Sequence, residues 1–205
     1  METYEYTLAT LNQPAPDFTA PALVEGEITS VRLSDYRGKW VVLFFYPGDF
    51  TFVCPTELVM MAERYAEFKA NNTEVLSMSI DSPYVHLAWQ NNELREMVKG
   101  GLPYPMLTDK GGVVGEMYGV YDAEAGVDLR GTFIIDPEGL LKAIYILPDS
   151  AGRDVNEIIR ILQSLQYTYE HKGEATPACW RPGGDTLKPG AELVGHVWSS
   201  WKKPQ

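Results

Sequence analysis

The chain has 205 residues, 45% of them hydrophobic and 22% charged, and its formal net charge is −11. This composition is typical of one globular domain and excludes a fibrous or disordered chain, while the excess of carboxylates disfavours nucleic acid as a partner. The longest apolar run, residues 40–46, is far shorter than the roughly 20 residues that span a bilayer.

Strands and helices are predicted to alternate along the chain. Buried or alternating apolar patterns predict strands over residues 39–46, 73–80, 106–108, 132–135 and 140–147. Apolar side chains at three- and four-residue spacing predict helices over residues 55–71, 83–98 and 152–169. This order predicts an α/β fold with a mixed sheet flanked by helices, followed by an irregular, proline-interrupted C-terminal tail.

The first residues of the chain, Met-Glu-Thr-Tyr-Glu, show none of the features of a secretory signal. They contain neither a basic segment nor an apolar one. We therefore expect a cytoplasmic protein that does not contact a membrane.

The two cysteines, Cys54 and Cys179, are the first candidates for chemistry, because a lone pair in a reducing compartment is more often chemical than structural. Cys54 lies in the first turn of a predicted helix, where unpaired N–H groups and the positive end of the helix dipole stabilise a thiolate. Thr51 can offer a hydroxyl to the sulfur or to a bound oxygen substrate, and Pro47 can close the pocket to water. The position alone leaves open that Cys54 is simply a small buried hydrophobe.

The string Pro47-x-x-x-Thr51-x-x-Cys54 resembles the active-site signature of the peroxiredoxins. Its surroundings are most similar to the branch that contains the AhpC component of alkyl hydroperoxide reductase and the typical two-cysteine enzymes. The similarity continues through residues 86–91 and 129–137 into the tail. It implies that Cys54 is the peroxidatic cysteine, with Pro47, Thr51 and Arg130 at the other active-site positions of the family.

The same resemblance implies the fold, the domains and the partners. The fold is expected to be a thioredoxin-like sheet with an N-terminal extension. Residues 1–168 would form the peroxidase domain, and residues 169–205 a tail for dimerisation and resolution. The expected substrates are hydrogen peroxide and alkyl hydroperoxides, and the expected reductant is a thioredoxin-like protein or a flavoprotein. The expected assembly is a homodimer or a ring of five dimers, with no metal or organic cofactor.

Elementary chemistry assigns roles that agree with these positions. The guanidinium of Arg130 favours the thiolate and can donate hydrogen bonds to the peroxide oxygens. Glu57 is expected to pair with an arginine and hold it over the pocket, or else to be a carboxylate of the first helical turn. Trp89 is expected to pack in the core or at the rim of the site.

Cys179 departs from the pattern of the two-cysteine enzymes, whose resolving residue lies in a motif Gly-Glu-Val-Cys-Pro-Ala-x-Trp. The corresponding string here begins at Gly173, has Thr176 at the cysteine position and carries Cys179 three residues later. We expect Cys179 to be a displaced resolving cysteine that forms an intersubunit disulfide. The alternative is a one-cysteine peroxidase reduced by an external thiol, which the tail also resembles.

Other functions receive little support from the sequence. There is no C-x-x-C motif for a dithiol oxidoreductase, and the cysteines and histidines lack zinc spacing. A hydrolase using Cys54 with His86 would need that histidine beside the sulfur. A ring-forming holdase or redox scaffold that does not turn over is the non-enzymatic alternative.

Overall fold

The computed structural model describes residues 8–202, and the chain divides into two compact units, residues 1–155 and 156–205. The strands are β1 Thr19–Val24, β2 Glu27–Arg32, β3 Trp40–Phe45, β4 Thr73–Ser79, β5 Met106–Thr108, β6 Tyr121–Asp122, β7 Val127–Asp128, β8 Arg130–Ile135 and β9 Leu141–Leu147. The helices are α1 Cys54–Glu63, α2 Tyr65–Ala70, α3 Pro83–Trp89, α4 Arg95–Met97, α5 Val113–Tyr118, α6 Val155–Glu170 and α7 Val197–Ser200. Short 3-10 turns cover Leu33–Tyr36 and Ala191–Leu193, and a π-helical turn covers Gln90–Leu94.

The first unit is built on a seven-stranded sheet in the order β2-β1-β5-β4-β3-β8-β9. The three strands β3, β4 and β5 run parallel, and the others join antiparallel. Every residue of β3, β4 and β8 is buried, and the central strand β3 is accordingly a continuous apolar run. The expected mixed sheet flanked by helices is confirmed.

The differences from the predicted elements have local causes. The helix predicted over residues 55–71 is divided at Arg64, whose ψ of 5° leaves the helical region. Strand β1 was not predicted because it contains Pro21, a residue that argues against a strand interior. Strand β2 was not predicted because it is polar and exposed at the edge of the sheet, where apolar alternation is not required.

The parallel strands β3, β4 and β5 place the loops that follow them at one edge of the sheet. The segments after β3, β4 and β5 begin at Tyr46, Ile80 and Asp109, at the carboxyl ends of three neighbouring strands. Strand β8 runs antiparallel to β3, with Phe44 opposite Thr132. The start of β8 therefore lies beside the end of β3, and ligand sites in sheets of this kind lie at that edge.

The second unit consists of most of α6, the segment after it and α7. Ala175 and Leu187 form an isolated antiparallel bridge in that segment. Trp180 is buried, and its indole N–H donates to the Gly184 carbonyl at 3.1 Å. In the part of the chain that the structure describes, no helix is long and apolar enough to cross a membrane.

Candidate active site

Cys54 is the first residue of α1 and its side chain is completely buried. The loop after β3 ends there because Pro55 fixes a helical φ at the first turn, where its missing N–H costs nothing. The sulfur therefore lies at the positive end of the α1 dipole, which favours an anion.

Arg130 approaches this sulfur from the start of β8. Its Nη1 lies 3.3 Å from Cys54 Sγ and donates to Glu57 Oε2 at 2.8 Å. Its Nε donates to the Asp149 carbonyl at 2.7 Å. The arginine is only 3% exposed, so its guanidinium is fixed from two sides and directed at the sulfur.

Glu57 connects Arg130 to a second buried arginine, Arg153, which was not predicted from the sequence. Arg153 donates to Glu57 Oε1 through its Nε at 2.9 Å and through its backbone N–H at 2.7 Å, and to Oε2 through Nη2 at 2.9 Å. Its Nη1 donates to the Gly131 carbonyl at 2.9 Å, and its guanidinium carbon lies 3.3 Å from the centre of the Phe44 ring. Glu57 therefore pairs with two arginines, where one was expected.

The electrostatic balance favours an ionised Glu57. Burial by itself raises the pKa of Glu57, but the hydrogen bonds and charge of Arg153, followed by the charge of Arg130, hold that pKa below its ordinary value. The residue is 3% exposed, and each of its carboxylate oxygens lies within hydrogen-bond distance of a guanidinium. No local sequence pattern indicates this role for Arg153, because it lies in an irregular segment just before α6 and its partner Glu57 is 96 residues away.

Pro47 and Thr51 lie in the loop that leads to Cys54. Pro47 is buried and Thr51 is half-buried. The Thr51 hydroxyl donates to the Gly48 carbonyl at 2.8 Å, so the expected donation to the sulfur is not made here. With its hydrogen donated to that carbonyl, the hydroxyl oxygen can act only as a hydrogen-bond acceptor towards another group.

A buried polar network holds the same loop in place. Asp49 accepts from the Tyr46 hydroxyl at 2.8 Å, its Oδ2 lies 2.7 Å from His86 Nδ1, and its backbone N–H donates to Asp81 at 2.8 Å. The other ring nitrogen of His86 lies 3.2 Å from the Leu107 carbonyl. Both nitrogens of His86 are thus engaged within this network, which removes the basis for a Cys–His hydrolase.

Trp89 packs beneath the loop. Its side chain is fully buried, with ring centroids 6.2 Å from Tyr46 and 5.9 Å from Phe50, and its indole N–H donates to Glu93. Phe50 adopts a φ of 55°, an uncommon conformation for a bulky residue. Trp89 therefore packs in the core beneath the loop that leads to Cys54, as expected.

Cys179 belongs to the second unit and differs from Cys54 in exposure. It is a free, exposed cysteine with a φ of 60°. It lines a cavity of about 730 Å³ together with Trp180, Arg181, Asp185 and Lys202. Within residues 8–202, no group of three or more His, Cys, Asp or Glu side chains is arranged to hold a metal ion.

Two family models match the chain. Residues 11–144 match the AhpC/TSA family, and residues 164–200 match the C-terminal domain of 1-Cys peroxiredoxin. The second match covers the region in which Thr176 replaces the cysteine of the two-cysteine motif.

Known proteins resemble the chain over most of its length. It is 51% identical over 195 residues to the selenocysteine-containing peroxiredoxin PrxU of Peptoclostridium acidaminophilum, covering 95% of this chain and 96% of that protein. It is 48% identical over 184 residues to peroxiredoxin-2 of Cricetulus griseus, covering 90% and 92%. The reduced 2-Cys peroxiredoxin of Plasmodium vivax superposes with a TM-score of 0.85 at 32% identity, covering 92% of this chain and 98% of that one. For Enterococcus faecalis AhpC the TM-score is 0.77 at 42% identity, covering 82% and 98%.

Proposed function

The chain belongs to the AhpC/TSA family of peroxiredoxins and is a thiol-dependent peroxidase with a thioredoxin-like fold, and on that premise we propose that Cys54 is its peroxidatic cysteine. Arg130 is proposed as the residue that stabilises both the thiolate and the bound peroxide. Pro47 and Thr51 shape the pocket, Glu57 positions the arginine, and Trp89 supports the loop by packing.

One contact carries this proposal. Arg130 Nη1 lies 3.3 Å from the Cys54 sulfur while the same atom donates to Glu57 at 2.8 Å. A guanidinium held by a carboxylate has its donors oriented before substrate arrives, so little reorganisation is needed during the reaction. The Arg153 guanidinium, which forms an ion pair with Glu57 Oε1, reinforces this orientation.

The proposed reaction begins with the Cys54 thiolate attacking one peroxide oxygen. A sulfur–oxygen bond forms, the oxygen–oxygen bond breaks, and the leaving oxygen takes a proton to become water or an alcohol. The sulfur is oxidised by two electrons to a sulfenic acid, and the peroxide is reduced by the same two. Arg130 donates hydrogen bonds to the oxygens as negative charge moves onto the leaving group, and the Thr51 hydroxyl oxygen can accept a hydrogen bond from the peroxide O–H group.

We propose that Cys179 resolves this sulfenic acid. Its thiol would displace the hydroxyl, forming a Cys54–Cys179 disulfide between subunits and releasing water. The exposure of Cys179 and the cavity beside it support access by a second thiol. The match of the tail to the 1-Cys domain favours the other candidate, in which an external thiol attacks the sulfenic acid directly.

The finer assignments of partners follow from the same proposal. A thioredoxin-like protein or flavoprotein would return the enzyme to the dithiol state, and such a supply of electrons suits the cytoplasm. A homodimer, or a ring of five dimers, is supported by exposed apolar side chains that a monomer would leave in water. They include Ile144 and Ile146 on edge strand β9 and Trp198 in the tail.

The assignment of the site is tested by peroxide consumption with dithiothreitol as reductant. Cys54→Ser is expected to reduce activity to background while circular dichroism shows an unchanged fold. Arg130→Met is expected to slow the reaction by at least about 100-fold, because a charge-stabilising donor is lost. Arg32→Met, which removes an exposed arginine paired with Asp17, is the matched control with wild-type activity. Substantial activity in Cys54→Ser would refute the proposal.

The resolving step is tested on a non-reducing gel after one equivalent of peroxide. The wild type should migrate as a covalent dimer, and Cys179→Ser should lose that band while keeping the first turnover. If the oxidised wild type remains a monomer on the gel and mass spectrometry finds no Cys54–Cys179 peptide, the one-cysteine route is correct. Cys179 then has no part in resolution.

A further inference from the structure

Asp128 is a buried carboxyl group without a partner. It ends β7, opposite Tyr121, and is 0% exposed. Among residues 8–202, its two oxygens are the buried side-chain polar atoms that have no hydrogen-bond partner. Because a buried ionised carboxylate without a donor is costly, such a group requires a physical explanation.

A second buried carboxyl group, Asp109, lies beside it. Asp109 follows β5 and is 2% exposed. Its oxygens accept the backbone N–H groups of Val114 at 2.9 Å and Gly115 at 2.6 Å. A Cβ placed on Gly115 would overlap Asp128 Oδ1 and would lie 3.2 Å from Asp109 Oδ2, so both carboxyl groups crowd the same point on α5. The glycine is what allows this approach.

The surroundings decide which carboxyl group holds a proton. Asp109 is favoured as the anion by its two N–H donors, whereas Asp128 has none. Burial first, and the charge of Asp109 second, raise the pKa of Asp128 to about 8. The pKa of Asp109 is also raised, by burial first and with a smaller contribution from the charge of Glu116, while the N–H groups of Val114 and Gly115 lower it. Within the described residues, no lysine, arginine or histidine forms an ion pair with either aspartate.

Asp128 is connected to Arg130 by a short, tightly bonded turn. The Leu129 N–H donates to the Val120 carbonyl at 2.8 Å, and the Gly131 N–H donates to the Leu129 carbonyl at 2.9 Å. These two bonds flank Arg130 directly. A movement of Asp128 away from a neighbouring negative charge would therefore pass to the residue that contacts the Cys54 sulfur.

We propose that Asp128 and Asp109 form a buried acid pair that holds one proton, and that this proton keeps Arg130 in its reactive position beside Cys54. Asp128 is then a positioning residue for the peroxidase reaction. When the proton leaves to solvent at alkaline pH, two adjacent anions repel each other, the turn shifts and Arg130 withdraws. This inference rests on the proposed role of Arg130.

The test is the rate of reaction between reduced protein and hydrogen peroxide, measured by stopped flow from about pH 6 to about pH 9.5. If the protonated pair is the active form, the wild-type rate should fall above pH 8, to about a tenth one unit above the pKa. Asp128→Asn, which stays neutral, should show no alkaline fall, and Asp35→Asn, at an exposed aspartate, should behave as the wild type.

A second measurement reports on the proton without using activity. The infrared carbonyl band of a protonated carboxylic acid should be present in the wild type at neutral pH and absent in Asp128→Asn. The proposal is wrong if the band is absent from the wild type. It is also wrong if the peroxide reaction rate of Asp128→Asn falls at alkaline pH as the wild-type rate does. If instead Arg130→Met reacts normally while the band is present, the role of Arg130 fails and the acid pair stands.

Discussion

Two buried carboxyl groups, Glu57 and Asp128, have opposite surroundings, although the first contacts Arg130 and the second lies two residues before it in the chain. Glu57 is held by two guanidinium groups, and its pKa is lowered despite burial. Asp128 has no donor and faces another carboxyl group, so its pKa is raised. Equal burial therefore produces an anion in one place and a neutral acid in the other, and the difference lies in the partners each group receives.

The largest expected effect comes from removing the charge of Glu57. Glu57→Gln leaves two buried arginines without a counter-charge, so the free energy of unfolding should fall by about 3–5 kcal/mol. Peroxidase activity should fall with it, because Arg130 loses its orienting partner. Urea unfolding followed by circular dichroism measures the first effect. A variant as stable as the wild type would show that the arginines are neutralised by other groups.

The opposite sign is expected for Asp128→Asn. The wild-type carboxyl group has a pKa of about 8 in the folded state and an ordinary value near 3.8 when unfolded. Folding is therefore progressively penalised as pH rises between these two values, and the penalty is constant above them. The stability of Asp128→Asn relative to the wild type should increase by about 3 kcal/mol from about pH 5 to about pH 7.5. A difference that does not vary with pH would show that Asp128 titrates normally.

Replacing Arg153 by lysine tests whether geometry or charge holds Glu57. The positive charge stays, but the planar fork that binds both oxygens of Glu57 is lost. We expect a loss of about 2 kcal/mol in the free energy of unfolding. Full stability in Arg153→Lys would mean that charge alone is sufficient.

The smallest effect is expected at Glu74, a buried carboxylate whose two cationic partners are exposed. Glu74 also accepts from two cations, Lys39 and Lys69, but both lysine side chains are 47% exposed. Water screens these pairs, so Glu74→Gln should cost less than about 1 kcal/mol and should spare activity. A loss of unfolding free energy as large as that of Glu57→Gln would contradict the role assigned to the burial of the cationic partners.

The sequence was most informative where residues that act together are also close in the chain. Pro47, Thr51 and Cys54 are predictable because one strand, one loop and one helix start contain them all. Arg153 was not predictable, because its contact with Glu57 joins residues 96 positions apart. Asp128 gave no signal either, since an aspartate next to a turn is typical of a solvated position and its burial depends on α5.

The same reasoning applies to the fold. Strand β3 is buried on both faces and its apolar run predicts it, β4 is predicted from its alternation, and of β8 only residues 132–135 are predicted, because the strand begins with Arg130 and Gly131. Strand β2 lies at the exposed edge of the sheet, where polar side chains face water. Its sequence therefore contains no apolar pattern from which a strand could be predicted. The division of the first helical region at Arg64 is a matter of backbone angles at a single residue, which periodicity does not detect.

Strand β3 leads to Cys54, and strand β8 begins with Arg130. The two strands are neighbours in the sheet but distant in the chain. The cysteine and the arginine are 76 residues apart, and pairings of this separation form late because the intervening loop must first be closed. A newly synthesised chain therefore carries an unactivated thiol until the central strands have paired. On the proposed roles of Cys54 and Arg130, fast reaction with peroxide is acquired only once β3 and β8 have paired, and its appearance during refolding reports that pairing.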